Sequence, residues 1–313
     1  MGVLPRAGCP GAGSIRVVSD SDQRTIATGD QWLSAALPGC AVANEHPPQG
    51  ADDPTFSPIS AGLVGLDPRR ADAAVTDAAG PGGIPALEAT YRPLLDRLDR
   101  ILCGRALTPC GVSGKASGVT RAAAGKEPKL TGALGLASGA AQTLLLEYAD
   151  GKPPTQVGWG RASAQDIAAL SALHSLKFAL LARPPYLAGA NLAGLLPVIS
   201  AGLTGTSRVT LISGHDTNVA SLGGLLGVHW QVPGLAPDDP VPGGALILEQ
   251  LRDRDGVAYV RVIYRSQTLA QVRGGGAEAP GYRMVLPVPG CDARGVAGLC
   301  TLAEMRGKLS PAV

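Results

Sequence analysis

The sequence predicts an α/β protein: a sheet domain interrupted by a mainly α-helical insertion. Three observations carry that prediction. Residues 15–37 read as a β-branched run, a polar turn and then apolar residues at helical spacing. Residues 208–226 repeat the same order. The stretch between them, from about 62 to 183, is patterned mostly for helix. A strand that feeds a helix is the unit of an α/β sheet, and a long helical run between two such units reads as an insertion. The expected boundaries are 1–43 and 208–313 for the sheet domain, and 44–207 for the inserted helical domain.

In the first unit, Ile15 to Val18 supply the strand, and Ser19 to Asp22 supply turn and N-cap chemistry. Ile26, Trp32, Leu33 and Leu37 then recur at roughly helical spacing. Residues 41–60 are rich in Pro and Asp and read as a loop. Ser163 and Asp166 form a capping box for a helix predicted to run to Arg183. Ile167, Leu170, His174, Phe178 and Leu181 share one face of it, so His174 reads as a core histidine. The uncharged stretch 184–207 is long enough to cross a bilayer. Pro184, Pro185, Asn191 and Pro197 interrupt it, so it reads as buried helix plus loop, and no membrane association is expected. The segment "RVTLIS" reads as the second strand, and "TNVASLGGLLG" as the start of its helix. Pro233 to Gly244 is a loop, and residues 245–265 read as a hairpin turning at Asp255-Gly256.

Composition excludes several function classes. The 27 basic and 25 acidic residues leave a net charge of +2, and the basic residues are dispersed. No basic block is present to bind nucleic acid. Lys115 and Lys126 each follow a glycine, but no Ser or Thr comes next, so there is no P-loop. "SLGGLLG" lacks the dinucleotide spacing, and no Gly-x-Ser-x-Gly elbow occurs. Histidines 46, 174, 215 and 229 form no pair at helical spacing, and there is no Cys-x-x-Cys. Neither a metal nor another cofactor is expected.

Cysteines stand at 9, 40, 103, 110, 291 and 300. Their even count and local spacing suggest bridges from 9 to 40, 103 to 110 and 291 to 300, although six cysteines allow other pairings and free buried thiols remain the alternative. Disulfides imply an oxidising compartment. The opening "MGVLPRAGCPGAGSIR" has no apolar core of a signal peptide, and Arg6 stands where myristoylation wants Ser or Thr. The two observations conflict, and one expectation that reconciles them is that Met1 is not the true start.

The two strand-to-helix junctions carry polar clusters: Asp20, Asp22 and Arg24 at the first, and His215, Asp216, Thr217 and Asn218 at the second. Ligands of α/β sheets bind beyond the carboxyl ends of the strands. A helix N-terminus there favours an anion. Arg24 offers a planar fork of donors for phosphate oxygens, and His215 can hold another oxygen. Asp216 beside a bound anion would favour its acid form, which makes it a candidate general acid for a leaving alkoxide. The plainer alternative is that Asp216 and Thr217 cap a helix, with His215 and Arg24 as solvated side chains.

"SGHDTNVASLGG" together with "SDSDQRTIATG" resembles the histidine acid phosphatases, in particular the bacterial branch that contains 4-phytases and glucose-1-phosphatases. The likeness continues through "DDPTFSPISAG", "LTGALGLAS", "VGWGRAS", "PGGALILEQ" and "QTLAQVR", almost the whole chain. The resemblance implies a phosphoglycerate-mutase-like sheet domain with an inserted helical domain. It places the three cysteine pairs where that branch has bridges, and it implies a periplasmic or secreted parent protein. The implied chemistry is phosphomonoester hydrolysis through a phosphohistidine, without cofactor. Arg24 and His215 would bind the phosphoryl group, Asp216 would protonate the leaving group and Thr217 would contact substrate, a small sugar phosphate or inositol phosphate. The family's nucleophile sits in Arg-His-Gly-x-Arg-x-Pro, and no Arg-His-Gly occurs here. The expectation is that this segment and the first strand of the sheet precede residue 1. The chain alone would then be inactive. The alternative is a complete, non-catalytic phosphate-binding relative. Gln142 and Ala245 stand where the branch often has Glu, and the segment after Pro185 lacks a common arginine. Phytate specificity is therefore not predicted.

Overall fold

The computed structural model describes residues 8–105, 110–123, 125–275 and 281–310. The first seven residues, including Arg6 of the sequence reading, lie outside the described residues. Strand β1 (Ile15–Ser19) forms as the sequence predicts, with Ile15, Val17 and Val18 buried. The helix α1 (Gln23–Ala36) follows it. A two-residue strand, β2 (Asn44–Glu45), pairs with β1 in parallel inside the stretch read as loop. Side chains hold it there: Arg16 pairs with Glu45 at 2.8 Å, and Ser19 donates to Asn44 Oδ1 at 2.7 Å. Neither contact leaves a periodic trace in a segment so short.

The helical region comprises α2 (Pro68–Ala79), α3 (Gly83–Cys103), α4 (Gly132–Ala149) and α5 (Ala164–Leu181), with a small hairpin of β3 (Gly118–Val119) and β4 (Leu130–Thr131) between α3 and α4. The Ser163–Asp166 capping box is present at the start of α5. Helices α4 and α5 pack together through Leu134, Leu144, Leu170 and Leu173, all buried. Each such leucine contributes about 1.5–3 kcal/mol on burial, so this interface is a main source of stability. The uncharged 184–207 stretch becomes two helices, α6 (Pro185–Leu192) and α7 (Leu195–Thr204), bent by 79° at a break. Helix α6 is largely buried, and no single described helix is long and apolar enough to cross a membrane.

Strand β5 (Val209–Ser213) pairs in parallel with β1, giving the sheet order β2-β1-β5. The register sets Ser19 opposite Ser213. Both strands therefore finish at the same edge, and the chain beyond each emerges side by side: Asp20 N–H donates to Ser213 O at 3.0 Å. Helix α8 (Asp216–Leu226) leaves from that edge. The predicted hairpin is β6 (Ala245–Arg252) with β7 (Ala258–Ser266). Gly256 takes a φ of 82° in its turn, and Asp253 accepts from the amides of Asp255 and Val257 at 3.0 and 2.9 Å. After the short helix α9 (Leu269–Gly274), β8 (Tyr282–Leu286) and β9 (Cys300–Thr301) both pair with β7, and α10 (Leu302–Lys308) ends the fold.

All three suggested disulfides are formed: Cys9–Cys40, Cys103–Cys110 and Cys291–Cys300. Cys9–Cys40 spans 31 residues and ties the approach to β1 to the end of α1. The Cys9→Ser/Cys40→Ser double variant is expected to lose about 3 kcal/mol of stability, since cross-linking a loop of that size restricts the unfolded chain. Urea unfolding checks this; an unchanged midpoint would mean the bridge does not stabilise the sheet edge.

Candidate active site

The site grows from the shared edge of β1 and β5. Gly214 allows the tight exit from β5: an added Cβ would lie 2.7 Å from Asn218 Oδ1 and 2.8 Å from the Phe56 ring. His215 then takes the extended N-cap conformation of α8, and its amide donates to Asn218 Oδ1 at 2.9 Å. The positive end of α8 opens onto the same space.

The His215 ring is held from both sides. Its Nε2 lies 2.6 Å from Asp20 Oδ2, and its Nδ1 lies 3.0 Å from Arg24 Nη2. A guanidinium can only donate, so Nδ1 accepts and the ring proton sits on Nε2, donated to Asp20. Asp20 is buried, and its other oxygen accepts from the Ser21 amide at 2.6 Å. Arg24 Nη1 pairs with Asp22 Oδ2 at 2.9 Å. Asp22 is the N-cap of α1 by position, yet its side chain makes no capping bond, because it faces Arg24 and His215 instead. Ligand atoms of Asp20, Asp22 and His215 approach within 4.8 Å of one another. Each carboxylate already has a partner within the protein, Asp22 in Arg24 and Asp20 in the His215 ring, so we assign no metal to them.

Asp216 sits at the first turn of α8. Its Oδ1 accepts from the Thr217 amide at 2.7 Å, and its Oδ2 accepts from Gln142 Nε2 on α4 at 2.8 Å. Behind it lies His174 on α5, with Nε2 at 3.6 Å from Asp216 Oδ2 and Nδ1 at 2.7 Å from Asp239 Oδ1. Burial alone would lower the His174 pKa, but the two carboxylates outweigh it and raise the ring to about 9. Burial alone would raise Asp216; the His174 contact and the Thr217 amide outweigh it and bring the carboxyl down to about 2. Asp239 is pushed up, first by burial, against the pull of His174.

Arg24, His215, Asp216 and Thr217 thus line one cleft of about 340 Å³, brought together from two junctions almost 200 residues apart. Glu127 and Lys177 line its helical side. Those two left no motif in the sequence. His174 is buried as expected, but its link to Asp216 and Asp239 was not legible; a polar residue on the apolar face of α5 was the only trace.

Residues 148–265 match the family model described as the histidine phosphatase superfamily (branch 2). The phytase AppA of Escherichia coli (strain K12) is 31% identical over 329 residues, covering 96% of this chain and 75% of that protein. The chain belongs to branch 2 of the histidine phosphatase superfamily. Within it, the glucose-1-phosphatase of Providencia rettgeri is 29% identical, over 90% of this chain and 70% of its own length. Hafnia alvei phytase superposes with a TM-score of 0.89 in its tartrate complex and 0.85 in complex with myo-inositol hexakis sulphate. Both share 34% identity, and both alignments cover 98% of this chain and 80% of that one. The α/β sheet with its cluster of helices is the histidine phosphatase fold, and the chemistry these relatives support is phosphomonoester hydrolysis of the histidine-phosphatase type.

Proposed function

We propose that the cleft binds the phosphate of a small phosphomonoester on Arg24 and His215, with Asp216 giving a proton to the leaving alkoxide and Thr217 touching the substrate. The observation that carries this reading is the Arg24–His215 contact, which brings the first turn of α1 to the start of α8, with Asp216 directly adjacent. A phosphoryl group in reach of Arg24 would meet a planar donor fork and the positive end of the helix. As its oxygens gain charge in the transition state, those fixed donors stabilise it without reorganising.

The family's nucleophilic histidine attacks phosphorus and carries the phosphoryl group before water releases it. None of the four histidines here stands in an Arg-His-Gly motif. His215 is engaged by Asp20 and Arg24, and His174 is buried behind Asp216. We therefore propose that the 313-residue polypeptide binds phosphate without turning over an ester. In the parent protein, periplasmic or secreted as three disulfides favour, a histidine from outside this sequence would complete the reaction.

The cleft also bears on substrate class. Arg24 and Lys177 are the cationic side chains that line it among the described residues, and Glu127 lies close enough to Lys177 to feel its charge. A ring carrying many phosphates needs many cations, so this lining favours a single phosphate, as on a sugar. Calorimetry with inorganic phosphate should detect binding, weakened at least about tenfold by Arg24→Ala through loss of a charge-assisted contact. Hydrolysis of p-nitrophenyl phosphate should be absent. Turnover that disappears in Asp216→Asn would overturn the claim that a nucleophile is lacking, and phosphate binding that is indifferent to Arg24 would overturn the site.

A further inference from the structure

His174 raises a question that helical packing does not answer. Its side chain is 2% exposed, yet its Nε2 has no hydrogen-bond partner. Buried polar nitrogens almost always have one. The atom is aimed at Asp216 Oδ2, which lies 3.6 Å away, just beyond bonding distance. The other nitrogen is fixed by Asp239, whose side chain is fully buried. Asp239 is fixed in turn: its backbone oxygen accepts from Trp230 Nε1 at 3.0 Å. Phe178 packs its ring edge-on to the imidazole at 4.6 Å between centroids. The ring is thus clamped, with one nitrogen left pointing at the proposed proton donor.

We infer that His174 is a positioning residue for Asp216: anchored through Nδ1 on Asp239, it stores at Nε2 the proton that Asp216 delivers. The inference rests on the reading of Asp216 as the proton donor. It also resolves a difficulty in that reading. A carboxylate held at about 2 is ionised at any ordinary pH and has nothing to donate. Binding of a phosphate dianion on Arg24 and His215 places a like charge beside Asp216 and favours its acid form. A proton can then pass along the existing line. The His174 Nε2–H bond breaks and an Asp216 Oδ2–H bond forms. The imidazole becomes neutral and keeps its Nδ1–H on Asp239. Asp216 next gives the same proton to the leaving alkoxide oxygen, and a proton from solvent reloads the pair. The 3.6 Å gap must close by somewhat under 1 Å for the transfer, a contraction of the kind that catalytic contacts undergo when ligand binds.

The groups around the ring agree with this role. Asp216 on α8 and Asp239 in the loop that follows are the anions facing it. Lys177, one turn along α5, and Gln142 on α4 both act on Asp216, one by charge and one by hydrogen bond. Tyr264 on β7 lies near Asp239, and its hydroxyl accepts from the Val241 amide at 3.0 Å, with burial holding it neutral. The charged ring therefore holds its Nδ1 proton on Asp239 and presents its Nε2 proton to Asp216.

The test is an NMR titration of the whole chain that follows the His174 ring nitrogens and the Asp216 carboxyl carbon, with inorganic phosphate as the probe. Without phosphate, His174 should remain an imidazolium well above pH 7 while Asp216 stays ionised. Saturating phosphate at pH 8, where the probe is mostly the dianion, should move Asp216 towards its acid form and His174 towards neutral imidazole together. In His174→Gln, the Asp216 midpoint should rise by at least about one pH unit, a tenfold change in proton affinity. Asp216→Asn should lower the His174 midpoint, which keeps the test open if His174→Gln fails to fold. A His174 midpoint at or below the ordinary value, or an Asp216 midpoint indifferent to His174→Gln, would overturn the inference, since a purely structural histidine predicts both. So would phosphate saturation that leaves His174 charged and Asp216 ionised. If the wild-type chain binds no phosphate, the site reading fails, while the coupling measured without phosphate still decides whether His174 governs Asp216.

Discussion

Replacing Asp239 with alanine should lower stability at neutral pH by about 3–5 kcal/mol, the loss expected when one partner of a buried ion pair is removed. The side chain is completely buried and accepts from His174 Nδ1 at 2.7 Å. Without it, the imidazole keeps a buried nitrogen with no acceptor, and Asp216 is the one carboxylate left beside it. Asp239→Asn retains an oxygen for Nδ1–H and should cost clearly less. The pH profile separates this from a cavity effect. His174 has its pKa raised to about 9 from 6.5, so its stabilisation is complete below about pH 6.5 and fades as pH rises to about 9. Asp216 has its pKa lowered to about 2 from 3.8, so its contribution is present above about pH 4 and is lost as pH falls towards 2. The wild-type chain should therefore be most stable between about pH 4 and 6.5 as far as this pair decides. Urea midpoints at pH 5, 7 and 9 check it: wild type should fall across the series, and Asp239→Ala should be both lower and flatter. Parallel profiles would mean that Asp239 does not hold the proton on His174.

How much of this was legible beforehand follows from the range of each interaction. Strands β1 and β5 and helices α1, α5 and α8 were readable because their signals are local: β-branched runs, helical spacing, a Ser163–Asp166 box. Arg24, His215 and Asp216 were readable because each stands at a strand-to-helix junction, where α/β chemistry collects. The convergence of the two junctions, however, depends on the parallel pairing of β1 with β5, and a pairing across some 190 residues leaves no trace in either strand alone. Strand β2 escaped because two residues cannot show a period and because Arg16 and Ser19, not hydrophobic alternation, hold it. Asp22 read both as N-cap chemistry and as part of the first polar cluster, and its carboxylate joins the cluster and not the cap. Asp239 was hidden for a similar reason: in a Pro-rich loop an aspartate reads as turn chemistry, and its partner His174 lies 65 residues away on a face that reads as core.

The second large effect is expected at Gly224, a residue of the "SLGG" segment that touches no ligand. Helix α8 crosses the end of α5 so closely that a Cβ at 224 would lie 2.2 Å from the Arg183 carbonyl oxygen and 2.4 Å from its Cα. Both are backbone atoms, so no side chain can turn aside. Within a helix, alanine is favoured over glycine by about 1 kcal/mol, and that gain works in favour of Gly224→Ala. Overpacking opposes it with about 1–3 kcal/mol, and contact with a fixed backbone belongs at or beyond the upper end. Arg183 is also poorly placed to yield: its Nη2 donates to Val228 O at 2.7 Å, and its guanidinium lies over Trp230. Net destabilisation of about 2 kcal/mol or more should follow. The helix can relieve the clash only by moving away from Arg183, and the same rigid element carries His215 and Asp216 at its first turn. Phosphate affinity should therefore fall along with the urea midpoint, although position 224 is two turns from the cleft. A variant that is destabilised but binds phosphate normally would show that α8 bends locally and that its N-terminus is held by β5 and Asp20 alone.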